Sequence, residues 1–166
     1  MSSPVDMQTD IGEAYLMPGA VHVSSVPVRC TTILGSCVAL CLFDVAAGVG
    51  GLNHFLLPGA APARDPEPLR WSDDACDFLY ERVIAAGASA CRLQVKVFGG
   101  AAVGMPVNAG SLRIGERNVE AVLSMLQRRR LPAPLASDVG GAAGRKLVFE
   151  AHTGRAWVKV LVQGTG

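Results

Sequence analysis

Charge is scarce in this sequence, and so are aromatic rings. Charged residues fill 17% and aromatic residues 5% of its 166 positions, with a formal net charge of +1. No basic stripe or acidic tail stands out, so the electrostatic footprint of a nucleic-acid binder is missing. No run approaches the roughly 18 apolar residues of a membrane span. The opening MSSPVDMQTD has neither a basic nor an apolar segment and does not read as a secretory signal. A cytoplasmic protein is therefore expected. Cysteine is present but odd in number: Cys30, Cys37, Cys41, Cys76 and Cys91. In a reducing compartment these read as thiols rather than a disulfide framework. There is no internal repeat.

Apolar residues and glycine fill the space instead. Half of the residues are hydrophobic and 19 are glycine. That composition belongs to a globular chain with tight turns or close backbone approaches. The length suits one domain that buries its core without staples. Residues 1–10 read as a flexible tail and 11–166 as a single domain.

From Tyr15 to Leu34 the pattern is apolar and β-branched, broken at Pro18-Gly19 and Pro27, which gives one or two strands. Gly35-Ser36 marks a turn. CVALCLF then reads as a buried strand, DVAAG as a loop and VGGLNHFLL as the return strand. Residues 58–68, with four of the ten prolines, form a loop that cannot continue a sheet. A substrate-contacting lid and a plain connector are equally compatible with that composition. SDDACDFLYERVIAAG reads as a helix with Ser72 as N-cap, Asp73 and Asp74 at its positive end, Gly87 as stop, and Ala75, Phe78, Leu79 and Val83 inward. CRLQVKV alternates as a strand with Cys91, Leu93, Val95 and Val97 on one face. A second helix follows over IGERNVEAVLSMLQRRR, with Val119, Val122, Leu123 and Leu126 inward. The chain closes with a hairpin around Thr153-Gly154. Several strands and two helices point to an α/β or α+β layered fold, with helices covering sheet.

The chemistry concentrates at Cys37 and His54. A four-residue loop from Asp44 to Ala47 pairs Phe43 with Gly48 and, carried outward, sets Cys37 directly across from His54. A five-residue loop would put the two on opposite faces. A thiol beside an imidazole is a nucleophile beside its base. Free N–H groups of the Gly35-Ser36 turn suit an oxyanion. Thr31, Thr32, Ser36 and Asn53 are the local candidates to orient the imidazole. On composition alone Cys37 is equally a core residue. Cys30, Cys41, Cys76 and Cys91 are expected in the core, and His22 and His152 at the surface. Zinc on Cys37, Cys41 and His54 is disfavoured. Cysteines four positions apart on a strand lie about 13 Å apart at ~3.3 Å per residue, too far to share one ion.

These residues resemble a known family. TTILGSCVALCLFD…GVGGLNHFLLP is similar to the core motif of the CheD family, the chemoreceptor glutamine deamidases of bacterial chemotaxis. The likeness continues through RWSDDA, LQVKVFGGA, IGERNVEAV, SDVGG and GRKLVFEAHTGRAWVK, over roughly residues 13–160. The resemblance implies a three-layer α/β sandwich with a mixed or antiparallel sheet and two main helices. It implies a protein-glutamine glutaminase with the catalytic residues Cys37, His54 and Thr31. Gly35, Ser36, Asn53, Gly99 and Gly100 are the expected substrate-binding positions. Glutamines on the cytoplasmic domains of methyl-accepting receptors would become glutamates through a thioester, without metal or organic cofactor, and glutamyl methyl esters would enter by the same route. The alternative it implies is a regulatory partner of a CheC-type chemotaxis phosphatase. A papain-like peptidase shares the Cys-then-His order, but its spacing is far longer.

Overall fold

Strand β4 (Val38–Asp44) is buried along its whole length. A strand apolar on both faces needs a layer on each side. Val38, Leu40 and Leu42 belong to one core, and Ala39, Cys41 and Phe43 to another. The computed structural model describes residues 11–103 and 113–162. The tail expected over residues 1–10 lies outside the described residues.

Around β4 stand β1 (Gly12–Tyr15), β2 (Val21–Ser24), β3 (Val28–Leu34), β5 (Val49–Asn53), α1 (Ser72–Ala85), β6 (Gln94–Gly99), α2 (Ile114–Arg128), β7 (Ala136–Val139), β8 (Arg145–Glu150) and β9 (Ala156–Val160). One sheet has the order β2-β5-β4-β6-β7 and the other β1-β3-β8-β9. Two pairings, β1 with β3 and β6 with β7, are parallel, and the rest are antiparallel. Both helices pack on the five-stranded sheet, whose other face meets the four-stranded one. This is the three-layer α/β sandwich that the family resemblance implies. Among the described residues, no helix is long and apolar enough to cross a membrane.

Several local expectations change. Pro18-Gly19 and Pro27 separate three strands rather than two. Strand β7 was not anticipated, because all its side chains are exposed and no alternation marks it; parallel pairing to β6 defines it. Ser72 is the first residue of α1 rather than its cap, and its hydroxyl accepts the Gly59 N–H at 2.8 Å, tying the proline-rich loop to the helix. Gly87 does end that helix. With φ of 115°, it lets its own N–H reach the Ile84 carbonyl and the Ala88 N–H reach that of Val83, each at 3.1 Å. Phe78 and Leu123 face solvent, while Cys76 and Met125 take the buried positions. Cys91 is exposed, in a 3-10 turn ahead of β6, whereas Cys30, Cys41 and Cys76 are buried as expected. His22 and His152 are half-buried rather than at the surface.

Candidate active site

The register of the β4–β5 hairpin decides how Cys37 meets His54. Asp44 stays in the strand opposite Val49, so the loop is Val45–Gly48, one place later than expected. The cause is the Asp44 carboxylate. It accepts the Ala47 N–H at 3.2 Å and the Ser89 N–H at 2.8 Å, and pairs with Arg92 at 2.9 Å. Those partners hold its pKa down at about 2, the Arg92 hydrogen bond being the strongest. Gly48, at φ of 66°, closes the loop. Continued outward, the ladder joins Val38 to Phe55 through two 3.1 Å bonds. Cys37 therefore does not oppose His54 directly. The shift moves both ends by one, so face parity is kept. The two residues are diagonal neighbours on the face turned toward the four-stranded sheet, a separation of roughly 7–8 Å between Cα atoms in a regular sheet.

His54 is buried and held at both ends of its peptide. Its carbonyl accepts the Gly19 N–H at 2.7 Å, and its N–H donates to the Ala20 carbonyl at 3.2 Å. Its ring reaches across the gap between the sheets to β3, where Thr32 Oγ1 lies 2.7 Å from Nδ1. Thr32, not Thr31, is thus the partner of the imidazole. On β3 the inward set is Cys30, Thr32 and Leu34. Thr31 falls on the outer face, in register with Tyr15 and Val148.

Thr32 also fixes the tautomer. Its hydroxyl donates to the Leu16 carbonyl at 2.8 Å. A carbonyl only accepts and a hydroxyl has one proton. That proton is committed, so Oγ1 accepts from Nδ1–H. The ring hydrogen sits on Nδ1, and Nε2 keeps its lone pair. Burial lowers the His54 pKa to about 4, so the ring is neutral near pH 7. Burial likewise raises the Cys37 thiol, against the opposing pull of its backbone N–H and the Arg70 guanidinium. The resting pair is thiol and neutral imidazole.

The turn before Cys37 is braced from behind. The Gly35 carbonyl takes the Ala101 N–H and the Cys37 carbonyl takes the Gly100 N–H, both at 2.9 Å. Gly99 and Gly100 have φ of 107° and 72°, a backbone that side chains rarely adopt. A Cβ on Gly99 would collide with the Cys37 carbonyl, and one on Gly100 with the Gly115 carbonyl. Gly99 and Gly100, two of the expected substrate-binding positions, back the turn that carries Cys37. Asn53 also leaves the expected set. Its side chain points to the helix layer, where Oδ1 accepts the Leu40 N–H at 2.8 Å and Nδ2 reaches Cys76 Sγ at 3.6 Å. The proline-rich loop ends in a 3-10 turn, Pro68–Arg70, whose Arg70 carbonyl receives the N–H groups of Leu56 and Leu57. This turn delivers the Arg70 cation to the Cys37 neighbourhood.

One residue was missed altogether. Asn118, on α2, donates from Nδ2 to the carbonyls of Ser36 at 3.1 Å and Leu56 at 2.9 Å. A polar residue within the apolar stripe of a helix was the available signal.

Residues 56–160 match the family model for CheD chemotactic sensory transduction. A probable chemoreceptor glutamine deamidase CheD 1 of Anaeromyxobacter dehalogenans is 44% identical over 149 residues, spanning 90% of this chain and 85% of that protein. A probable chemoreceptor glutamine deamidase CheD of Trichlorobacter lovleyi is 41% identical over 144 residues, spanning 87% and 88%. One from Vibrio cholerae is 41% identical over 153 residues, spanning 87% of this chain and 64% of the other.

Proposed function

This chain belongs to the CheD family of chemotactic sensory transduction proteins, and on that premise we propose that it hydrolyses glutamine side-chain amides on methyl-accepting chemotaxis receptors. The observation that carries the mechanism is the Thr32–His54 bond at 2.7 Å with the Thr32 proton already given to Leu16. It leaves Nε2 of a neutral ring as a proton acceptor on the face that Cys37 shares.

Cys37 Sγ attacks the glutamine carbonyl carbon while its proton passes to His54 Nε2. The oxyanion forms at the Gly35-Ser36 turn. Among the described residues, the N–H groups of Gly35 and Ser36 donate to no carbonyl, and these are the donors assigned to it. Collapse breaks the carbon–nitrogen bond, and Nε2 returns its proton to the departing nitrogen as ammonia. A water molecule then gives a proton to Nε2 and its oxygen to the thioester carbon. The carbon–sulfur bond breaks, Nε2 returns its proton to Cys37 Sγ, and the glutamic acid released gives its proton to ammonia. The net change is amide plus water to carboxylate plus ammonium. A glutamyl methyl ester passes through the same acyl intermediate, with methanol leaving.

Each turnover places a negative charge on a receptor helix, which alters helix packing by repulsion. The net charge of +1 provides little long-range attraction to an acidic receptor, so contacts at the docking surface set recognition. Receptors reached in this way place the enzyme on the cytoplasmic side.

Incubation with cytoplasmic receptor fragments, read by peptide mass spectrometry, tests the proposal. Amide-to-acid mass gains at defined glutamines support it. Unchanged masses on every receptor from the same organism would overturn it.

The two neighbouring threonines give a sharper test of the geometry. Thr32→Val leaves the Nδ1–H buried without an acceptor, a cost of about 1–3 kcal/mol that corresponds to roughly 10- to 100-fold in kcat if it falls on the reacting tautomer. Thr31→Val changes an outer-face side chain and is expected to shift activity by less than about 0.5 kcal/mol. Steady-state deamidation rates of the two variants compare them directly. Equal losses, or a larger loss for Thr31→Val, would remove Thr32 from the mechanism.

A further inference from the structure

Three successive carbonyls lead into and include the nucleophile, and each is held by a different donor. Gly35 is held by the Ala101 N–H, Ser36 by Asn118 Nδ2 and Cys37 by the Gly100 N–H. Two of these donors are backbone groups that no substitution other than proline removes. The third is a side chain, and the same nitrogen also holds Leu56, two residues beyond His54. One amide group thus ties the turn that carries Cys37 to the segment that carries His54.

Its setting favours that task over packing. Asn118 is fully buried and lies on the α2 stripe that also buries Val122, Met125 and Leu126. Carbonyl oxygens only accept, so Nδ2 must be the atom that faces Ser36 and Leu56, and the orientation of the amide follows. Its Oδ1 is then buried without a hydrogen-bond partner among the described residues. A leucine would fill this stripe without stranding Oδ1, but it would leave the Ser36 and Leu56 carbonyls without this donor. One turn earlier, Gly115 packs against the backbone of Gly100 and Ala101, the other two donors. The start of α2 therefore forms a single backing for the turn.

We propose that Asn118 is a positioning residue that sets the spacing between Cys37 and His54. The proposal rests on the reading above in that Cys37 is taken as nucleophile and His54 as base. Asn118→Leu removes both donated bonds while keeping the stripe apolar. Two readouts separate positioning from packing. The first is the pH dependence of iodoacetamide alkylation at Cys37, followed on the Cys37 peptide, in wild type, Asn118→Leu and His54→Gln. The second is kcat against KM for receptor deamidation. Expected are a kcat loss of roughly 10- to 100-fold with KM nearly unchanged, and an Asn118→Leu alkylation profile that collapses onto that of His54→Gln. Val122→Ala, one turn along the same stripe, serves as the packing control, expected to lower the melting temperature and leave both readouts in place. If Asn118→Leu does not fold, Asn118→Ser, which gives water access to both carbonyls, carries the comparison. A wild-type alkylation profile and kcat in a folded Asn118 variant would overturn the proposal, as would a wild-type profile that does not depend on His54. A chain that deamidates no receptor yet shows the profile collapse would refute the substrate reading and uphold the positioning role.

Discussion

Cys37→Ala is expected to abolish deamidation while the fold survives. The thiol is half-buried at the edge of the core between the sheets, where Cys37 packs beside that cluster rather than within it. Removing one sulfur there is expected to cost about 1 kcal/mol of stability, the typical scale for a point substitution. The chemical loss is far larger. Without a nucleophile only substrate binding and the oxyanion donors remain, and such remnants supply about 10³–10⁴ over water in comparable hydrolases. The variant should therefore produce no mass gain at receptor glutamines at enzyme concentrations where wild type reaches completion, with a melting temperature close to wild type. Deamidation by the alanine variant would exclude Cys37 as nucleophile. The same protein distinguishes catalysis from a purely regulatory role. Activation of a CheC-type phosphatase needs a binding surface and no thiol, so such an effect would persist in Cys37→Ala.

His54→Gln is expected to lower kcat by about 10²–10⁴, the usual contribution of a positioned general base. The pH profile of the wild type carries the sharper information. The base must be neutral to accept the Cys37 proton, and burial lowers its pKa to about 4 from the ordinary 6.5. The acid limb of kcat/KM should accordingly fall near pH 4. The alkaline limb reports loss of the thiol proton and lies above the ordinary thiol value, because burial raises Cys37. An acid limb at the ordinary imidazole pKa would contradict the buried, neutral ring. Stability has the same sign. Between pH 6.5 and 4 the unfolded chain binds a proton that the folded ring refuses, so His54 makes the fold less stable as pH falls through that window. Rates must be measured well below the melting temperature at each pH.

The sequence pattern already placed Cys37 and His54 on a shared face. Parity is robust, because the loop could slide by a whole residue at both ends without moving Cys37 and His54 apart in facing. Direct opposition was not robust, since it depended on where the loop began, and the Asp44 contacts to Ala47, Ser89 and Arg92 settle that from distant sequence. The contact of the imidazole with Thr32 rather than Thr31 has a different origin. A motif offset from Cys37 counts across the turn, whereas facing is set within β3, where Cys30 and Leu34 mark the inward side. The same period of two excluded Asn53, since residues adjacent on a strand point to opposite faces. Asn118 was legible only as an anomaly in an apolar stripe. Its partners lie 82 and 62 positions away in the chain, and no local rule joins them.

The chain of bonds from the imidazole ends at Leu16, directly after β1, the outermost strand of its sheet. That edge position gives the proposed base, His54, a local fuse. When β1 frays, Thr32 loses its acceptor, and its freed hydroxyl proton can turn toward Nδ1. The ring hydrogen then moves to Nε2, the nitrogen that must be bare, and the base is disarmed while the core under the helices remains packed. Edge strands open at lower free energy than central ones. Loss of competence on warming should therefore run ahead of loss of structure, because the acceptor that fixes the Thr32 proton follows directly on an edge strand.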